Sequence, residues 1–156
     1  MKLLVFSDSH GNTALMERET ALQRPDMVLH LGDVVRDARA LARRFPDVPM
    51  ACVPGNCDAY TPDLPEKRLL EVEGKKLLMT HGHIYHVKSD LGTAVYAAQE
   101  ARADVLLFGH THQALCDRQG PLWILNPGSI RGNFHPTYGV ITLENGVITC
   151  YTVAVS

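Results

Sequence analysis

Five apolar, strand-like segments of this 156-residue chain each end in an aspartate, a histidine or an asparagine. In open α/β sheets, functional groups collect at the carboxyl ends of the strands, so five such endings are a convergence rather than a coincidence of composition. The alternative is a set of unrelated polar residues with separate hydrogen-bond partners. The strand ends carry Asp8 and His10, Asp33, Asn56, His81, and His110 with His112.

The first third of the chain predicts strands and helices in alternation. Compact apolar runs predict strands over 2–8, 26–33 and 48–56. Apolar and small residues recur at three- and four-residue spacing over 35–45, which predicts a helix. An earlier helix is expected to begin near Asn12, a residue type that caps helix N-termini. This alternation is typical of βαβ units and a parallel sheet.

The second half predicts more strands. Two strands over 67–83 flank Glu73-Gly74, and Asn145-Gly146 lies in the β-rich C-terminal part; both pairs are hairpin signals. Between them we expect a helix over 89–102, with Ser89 as its candidate cap, and a strand over 104–112. Because the sequence contains no repeat and no linker, we expect one domain over 1–156.

The composition excludes several classes of function. Apolar residues make up 46% and charged residues 21% of the chain, and the net charge of -2 gives no electrostatic footprint for nucleic acid. No segment approaches the roughly 18 apolar residues of a membrane span. Polar residues interrupt the apolar N-terminus too early for a signal peptide. The four cysteines have no CxxC or zinc-type spacing, and we expect a reduced, cytoplasmic protein.

The types and spacing of the strand-end residues predict a metal site. Asp8/His10 and His110/His112 are i, i+2 pairs, which would point to one side on extended backbone. Carboxylate, imidazole and amide ligands without thiolate suit Mn²⁺, Fe²⁺ or Zn²⁺ better than Ca²⁺. Seven ligands exceed what one such ion takes, and a carboxylate that bridges two ions is the known solution. Glycines that would allow sharp turns and close approach of these loops are Gly32, Gly55, Gly82 and Gly109.

The ordered motifs "DSH", "GD", "GN-x-D", "H" and "GHTH" resemble the calcineurin-like metallophosphoesterase superfamily. The short length, "GNCD", and "NPGS" at 126–129 are most similar to its small bacterial and archaeal phosphodiesterase branch. The resemblance spans Asp8 to Ser129 and implies a four-layer α-β-β-α sandwich of two mixed β-sheets flanked by helices. It also implies hydrolysis of a small phosphate ester, chiefly a diester, by in-line attack of a metal-bound water or hydroxide.

The resemblance also assigns the seven residues to two metal ions. It implies a first ion held by Asp8, His10 and His112, a second held by Asn56, His81 and His110, and Asp33 as the bridge. Mn²⁺ is the favoured ion, and Fe²⁺, Zn²⁺, Ni²⁺ and Co²⁺ are alternatives.

One position departs from the wider superfamily. The third position of "GN-x-[DE]" usually holds a histidine that stabilises or protonates the leaving group, and this chain has Cys57 there. A thiol is a poor substitute for imidazolium near neutral pH. Asp58, which orients that histidine in the wider pattern, is expected to lack its partner. The general acid is therefore unassigned, with His83, His86 and His135 as candidates; Cys57, Asp58 and His83 are candidate substrate or supporting residues.

Other polar residues have simpler interpretations. His30 lies inside an apolar strand and is expected to be a hydrogen-bonded core histidine. Residues 126–129 form either a tight turn or support for the site. Substrate specificity is expected to depend on loops 57–66, 83–92 and 129–137, whose composition is not diagnostic.

Two other functions occur on the fold that the resemblance implies. The small retromer subunit of eukaryotes acts by protein contacts with a degraded metal site, so a protein-binding scaffold is the alternative. The complete set of ligand residues argues against a scaffold. The presence of Cys57 in place of the usual histidine leaves the scaffold as an alternative. A protein phosphatase is disfavoured because the chain lacks insertions that would make a peptide groove. A homo-oligomer, such as a dimer, is an expectation that rests only on the β-rich edge.

Overall fold

A computed structural model describes residues 1–59, 62–131 and 135–155. Positions 60, 61 and 132–134 lie outside the described residues and belong to two of the loops expected to shape the substrate pocket; position 156 also lies outside. The described elements are β1 (Lys2–Phe6), α1 (Ala14–Gln23), β2 (Met27–His30), α2 (Val35–Arg44), β3 (Met50–Cys52), β4 (Lys67–Val72), β5 (Lys75–Thr80), a 3₁₀ turn (His83–Tyr85), α3 (Gly92–Glu100), β6 (Val105–Leu107), β7 (Leu115–Gln119), β8 (Leu122–Asn126), β9 (Thr137–Glu144) and β10 (Val147–Ala154).

The strands form two mixed sheets. The first has the order β10-β9-β1-β2-β3, and the second has the order β4-β5-β6-β8-β7. In the first sheet β1, β2 and β3 are parallel, while β9 and β10 are antiparallel to their neighbours. In the second sheet β5, β6 and β8 are parallel, and the two edge strands are antiparallel. The parallel strands of each sheet therefore present their carboxyl ends at one edge.

Alternate residues of β1 face different layers, because side chains of a strand point to opposite sides of its sheet. Leu3 and Val5 pack in the core that the two sheets share. Leu4 and Phe6 face the other way and pack with Met16 of α1. The first sheet therefore separates the central core from a helical layer.

The second sheet has the same arrangement on its side of the molecule. Val105 and Leu107 of β6 face the shared core. Leu106 faces outward and packs against Ala94 and Ala98 of α3. The structure is the four-layer α-β-β-α sandwich that the resemblance implied.

Both predicted hairpin turns are present. Asn145 and Gly146 have φ values of 52° and 77°, and Glu73 and Gly74 have φ values of 51° and 76°. Positive φ at both central residues is the conformation of a type I′ turn. Among the described residues, no helix has the length and apolar character needed to cross a membrane.

The two predicted helix caps are wrong. α1 begins at Ala14, and the Asn12 side chain donates instead to the Arg131 carbonyl at 2.8 Å. α3 begins at Gly92 rather than near Ser89, and Asp90 Oδ1 accepts the Gly92 N–H at 2.8 Å. The residues at the two N-cap positions are Thr13 and Leu91, and neither makes a side-chain capping hydrogen bond.

The core between the sheets predicts the effect of truncating Leu77, which is fully buried there. We expect Leu77→Ala to lower the free energy of unfolding by about 2–5 kcal/mol, because buried apolar contacts are lost and a cavity forms. Leu22→Ala, at a side chain that is 68% exposed, is the control and should change it by less than about 0.5 kcal/mol. Urea unfolding of the metal-free proteins measures both; equal losses would contradict the assignment of Leu77 to the core.

Candidate metal centre

The strand ends of both sheets bring two carboxylates and several imidazoles together. Two groups of potential ligands meet, Asp8 with His10 and His112, and Asp8 with Asp33 and His81; within each group the ligand atoms lie within 4.8 Å of one another. Asp8 is the member common to both groups. The first sheet supplies the carboxylates, and His81 and His112 follow strands of the second.

The carboxylate of Asp8 is fully buried, and its two oxygens have different surroundings. Oδ2 accepts hydrogen bonds from Ser7 Oγ at 2.6 Å and from the His110 N–H at 3.1 Å. Oδ1 has no hydrogen-bond partner among the described residues, although His112 Nε2 lies 3.0 Å away. A buried carboxylate oxygen without a partner is energetically costly, which makes this position notable.

Asp33 repeats this division between an anchored oxygen and one that faces the histidines. Its Oδ1 accepts the Cys57 N–H at 2.9 Å. Its Oδ2 lies 3.3 Å from His81 Nε2 and 3.9 Å from His10 Nε2. Burial opposes ionisation, but the hydrogen bonds from His81 and Cys57 outweigh it and hold the pKa of the Asp33 carboxyl far below its usual range. Asp33 is therefore ionised at neutral pH.

His81 has its ring orientation fixed from behind. Its Nδ1 lies 2.8 Å from the Leu31 carbonyl oxygen, which can only accept a proton, so Nδ1 carries the hydrogen. Nε2 is left facing Asp33 and lies 3.2 Å from His110 Nδ1. Burial opposes charging of the ring, but the Asp33 hydrogen bond and the charges of Asp8 and Asp33 raise the pKa of His81 above its ordinary value. Anchoring of one ring nitrogen by a carbonyl is the usual arrangement of a metal-binding histidine.

His10 and His112 complete the other side of the cluster. Their ring centroids are 5.4 Å apart. His10 Nε2 is buried without a hydrogen-bond partner among the described residues and lies 3.8 Å from Asp8 Oδ1. The His112 side chain is 43% exposed, so the cluster is open to solvent on this side.

Five of the seven candidate ligands have left-handed backbone conformations, which contradicts the expectation of extended i, i+2 pairs. The strands end before them, at Phe6 and Leu107, because positive φ is incompatible with a strand. Such conformations are rare for residues other than glycine, are strained, and cluster at functional sites. The φ values are 54° for Asp8, 44° for His10, 46° for Asp33, 68° for His110 and 61° for His112.

Two of the four predicted glycines permit close approach of the loops to the carboxylates. A Cβ atom on Gly109 would overlap Ser7 Oγ, and one on Gly55 would overlap Asp33 Oδ1. Any larger residue at either position would displace a carboxylate or its anchor.

Asn56 lies between two residues that contact the Asp33 carboxylate. Its exposed side chain donates to Cys57 Sγ at 3.7 Å and makes no hydrogen bond to Asp8 or Asp33 in the described part of the chain. Its neighbours Gly55 and Cys57 both contact the Asp33 carboxylate. Cys57 is exposed, but local desolvation and the Asp33 carboxylate raise the pKa of its thiol, so this group stays protonated at neutral pH.

Asp58 has no histidine at position 57 to orient, and its carboxylate binds main-chain groups instead. Its carboxylate accepts backbone hydrogen bonds from Asp33 at 3.0 Å, Gly55 at 2.7 Å and Val35 at 2.7 Å. Sequence motifs compare side chains with side chains, so they gave no signal for a carboxylate that binds only main-chain donors.

His83 lies directly beside the cluster. Its ring centroid is 5.6 Å from that of His81, and its Nε2 is 3.9 Å from Glu66 Oε1. Burial and the neighbouring His81 lower the pKa of His83, so its ring is neutral at pH 7.

The other two candidate acids lie further out. His86 is exposed and follows the 3₁₀ turn. His135 is also exposed and lines a cavity of about 240 Å³ together with His112, Ser129 and Pro136. Of the two, His135 is the one that shares a cavity with a candidate ligand.

A buried polar network supports the loop that carries Asp8 and His10. Ser9 Oγ donates to Asp37 Oδ2 at 2.7 Å and lies 3.1 Å from His30 Nε2. The N–H of Gly11 donates to the same Asp37 oxygen at 2.7 Å. His30 Nδ1 accepts the Gly32 N–H at 3.1 Å, which confirms His30 as a hydrogen-bonded core residue. Sequence reasoning missed the contact between Ser9 and Asp37, because Asp37 lies in the first turn of α2, where an acidic residue is already explained by the helix dipole.

Residues 126–129 support the site as well as forming a turn. Asn126 Nδ2 donates to the Gly109 carbonyl at 3.2 Å and to Thr111 Oγ1 at 2.9 Å. Ser129 Oγ donates to the Asp8 carbonyl at 2.8 Å. These contacts hold the loops that present Asp8, His110 and His112.

A family model described as the calcineurin-like phosphoesterase superfamily domain matches residues 1–146. This chain belongs to that superfamily. It is 36% identical to the probable metallophosphoesterase YsnB of Bacillus subtilis, over 96% of this chain and 88% of YsnB. It is 30% identical to the phosphodiesterase YfcE of Escherichia coli K12, over 96% of this chain and 90% of YfcE.

Solved structures share the fold. A predicted phosphoesterase from Streptococcus pneumoniae TIGR4 is 29% identical with a TM-score of 0.81, over 98% of this chain and 88% of that one. Vps29 from Entamoeba histolytica, complexed with Zn²⁺, is 21% identical with a TM-score of 0.78, over 99% of each chain; this likeness shows the fold alone. The chain is therefore a phosphoesterase of a metal-dependent family.

The buried His30 predicts a pH dependence of stability. Burial is the largest influence on its ring and lowers the pKa from 6.5 to about 4. Between these values the unfolded chain takes up a proton that the folded chain does not, so stability falls as the pH is lowered from about 6.5 to 4. The contribution is on the order of 3 kcal/mol over this window.

Urea unfolding of the metal-free protein between pH 7 and pH 4 measures this effect. We expect His30→Gln to flatten the loss of stability, whereas His86→Gln, at an exposed side chain, should keep the wild-type slope. A His30→Gln variant that loses stability as steeply as wild type would show that His30 is not the titrating group.

Proposed function

We propose that this chain hydrolyses phosphodiesters at a dinuclear centre of divalent metal ions. The observation that carries the proposal is a pair of buried ligand atoms, Asp8 Oδ1 and His10 Nε2, which lie 3.8 Å apart and have no hydrogen-bond partner within the described part of the chain. A cation between them would satisfy both, since buried charges are normally paired or coordinate metals. The proposed ligands are Asp8, His10, Asp33, Asn56, His81, His110 and His112.

The donor set fits such ions. Carboxylate and imidazole ligands suit Mn²⁺, Fe²⁺ and Zn²⁺, and we propose Mn²⁺ as the ion, with Ni²⁺ and Co²⁺ as further alternatives. Asp8 and Asp33 each keep one oxygen anchored and direct the other towards the histidines. Asp8, His10 and His112 would hold one ion, Asn56, His81 and His110 would hold the other, and Asp33 would serve both.

When bound, two such ions lower the pKa of water, orient a phosphate group and neutralise its charge. The residues of this chain hold the ligands in position before substrate arrives. The Leu31 carbonyl keeps the proton on His81 Nδ1, and Ser7 and the His110 N–H fix one oxygen of Asp8. The raised pKa of Cys57 makes its thiol a weak proton donor, so we assign it no part in leaving-group protonation.

Diester rather than monoester substrates are supported by relatives and not by a particular residue. YfcE is named a phosphodiesterase, and this chain aligns with 90% of its length. Reduced cysteines support a cytoplasmic location, because all four are free thiols. We also propose that residues 1–156 form a single domain and that the protein forms a homo-oligomer.

A protein-binding scaffold is the second candidate. The fold shared with Vps29 lends it some weight, but that likeness extends to the fold alone. The relatives named as metallophosphoesterase and phosphodiesterase favour the enzyme. The two candidates differ in turnover, because a scaffold would bind metal or partner without hydrolysing an ester.

The test compares wild type with Asp33→Asn after metal stripping and Mn²⁺ re-addition. We expect wild type to hydrolyse the diester bis(p-nitrophenyl) phosphate only when Mn²⁺ is present. It should hydrolyse the monoester p-nitrophenyl phosphate more slowly than the diester. Asp33→Asn should lower turnover more than about 100-fold, beyond what loss of a supporting residue costs. Metal content and p-nitrophenolate release are measured on the same samples.

Asp47→Asn is the matched control, because the exposed Asp47 lies in the turn between α2 and β3, at the amino end of that strand and away from the cluster at the carboxyl ends. It should retain wild-type turnover. Tight Mn²⁺ binding by wild type without hydrolysis of either ester would favour the scaffold. Unchanged turnover in Asp33→Asn would contradict the proposed centre.

A further inference from the structure

Asp58 binds three backbone donors from two segments of the described chain. Its Oδ2 accepts the N–H groups of Asp33 at 3.0 Å and Gly55 at 2.7 Å. Its Oδ1 accepts the N–H of Val35 at 2.7 Å. These donors belong to the loop after β2, the turn after β3 and the first residue of α2. One carboxylate therefore joins the loop that carries Asp33 to the turn that carries Asn56.

Asp58 and Asp33 hold each other's loops reciprocally. The Asp33 N–H donates to Asp58, and the N–H of Cys57, next to Asp58, donates to Asp33 Oδ1. The Asp58 N–H also donates to the Gly55 carbonyl at 3.2 Å and closes its own turn. This clamp leaves only Asp33 Oδ2 directed towards His81 and His10.

The clamp acts on a strained residue. Asp33 has a φ of 46°, a conformation that persists only where the surroundings enforce it. Its N–H is bound by Asp58, and the N–H of Val35, two residues later, is bound by the same carboxylate. Both ends of the strained segment are therefore fixed by one side chain.

We propose that Asp58 is a positioning residue for the metal centre, which fixes Asp33 and the Asn56 turn through their main-chain amides. This inference rests on the proposed function. In this chain Asp58 has no imidazole at position 57 to orient, and its carboxylate is instead committed to the backbone. The role requires a carboxylate, since the side-chain amide of asparagine offers one accepting oxygen and one donor group. Whichever way an introduced amide turned, at least one of the three N–H groups would face a donor.

The experiment measures Mn²⁺ binding to metal-stripped protein by isothermal titration calorimetry. We expect Asp58→Asn to weaken Mn²⁺ affinity about 10–100-fold, the range for loss of a supporting contact around a metal site. The Mn²⁺ concentration for half-maximal hydrolysis of bis(p-nitrophenyl) phosphate should rise by the same factor. At saturating Mn²⁺ the KM should stay within about twofold of wild type. Asp47→Asn, the exposed control in the turn before β3, should match wild type throughout.

A merely structural role would lower the unfolding temperature of the metal-free protein and leave the Mn²⁺ affinity of the folded fraction unchanged. That result would overturn the proposal. Should Asp58→Asn fail to fold, Val35→Pro removes one of the three donors at the first residue of a helix, where proline is tolerated. The preceding Val34 is extended, with φ -124° and ψ 132°, as a residue before proline requires. Unchanged Mn²⁺ affinity in Val35→Pro would then overturn it.

Asp33→Asn separates this inference from the proposed function. If Asp33→Asn abolishes Mn²⁺ binding while Asp58→Asn leaves it intact, only the positioning role of Asp58 fails. If Asp33→Asn leaves Mn²⁺ binding intact, the proposed centre itself fails, and the role of Asp58 fails with it.

Discussion

The burial of two aspartates at adjacent strand ends is the constraint on which this site depends. Asp8 and Asp33 are almost fully removed from solvent, and each has one oxygen held by a main-chain N–H and one directed at imidazoles. Such an arrangement is unfavourable in a protein that binds no cation, because buried negative charges repel and lack solvation. The surrounding loops and glycines, and the supporting carboxylates of Asp37 and Asp58, keep these two groups in place.

The support is provided mostly by main-chain groups and by residues that touch no ligand atom. Asp58 binds the segment around Asp33, Asp37 binds the loop around Ser9, and Asn126 binds the loop after β6. Each support joins segments that are distant in sequence, so the geometry of the centre depends on the packing of both sheets. Rigid placement of this kind is what a metal site requires of the residues around its ligands.

The apolar segments that end in polar residues predicted that Asp8, Asp33 and His81 would meet, and the structure brings these three together. The four-layer architecture was implied by the resemblance of the ordered motifs to a known family, not by the pattern of strands and helices alone. The backbone at the ligands was predicted wrongly. Extended i, i+2 spacing is a rule for strands, whereas His10 and His112 lie in left-handed turns that tertiary contacts enforce. The partners of Asp58 could not be predicted, since main-chain donors leave no mark on the sequence.

The left-handed ligand residues also bear on how this fold could change over evolutionary time. Stability comes from the apolar core between the sheets, in which none of the proposed ligands takes part. The ligand loops contribute strain and buried charge instead. Substitutions that relax those loops would therefore be tolerated by the fold, and many would stabilise it. A lineage released from selection for hydrolysis could lose its metal ligands one by one and keep an intact sandwich, free to be recruited for its surface alone.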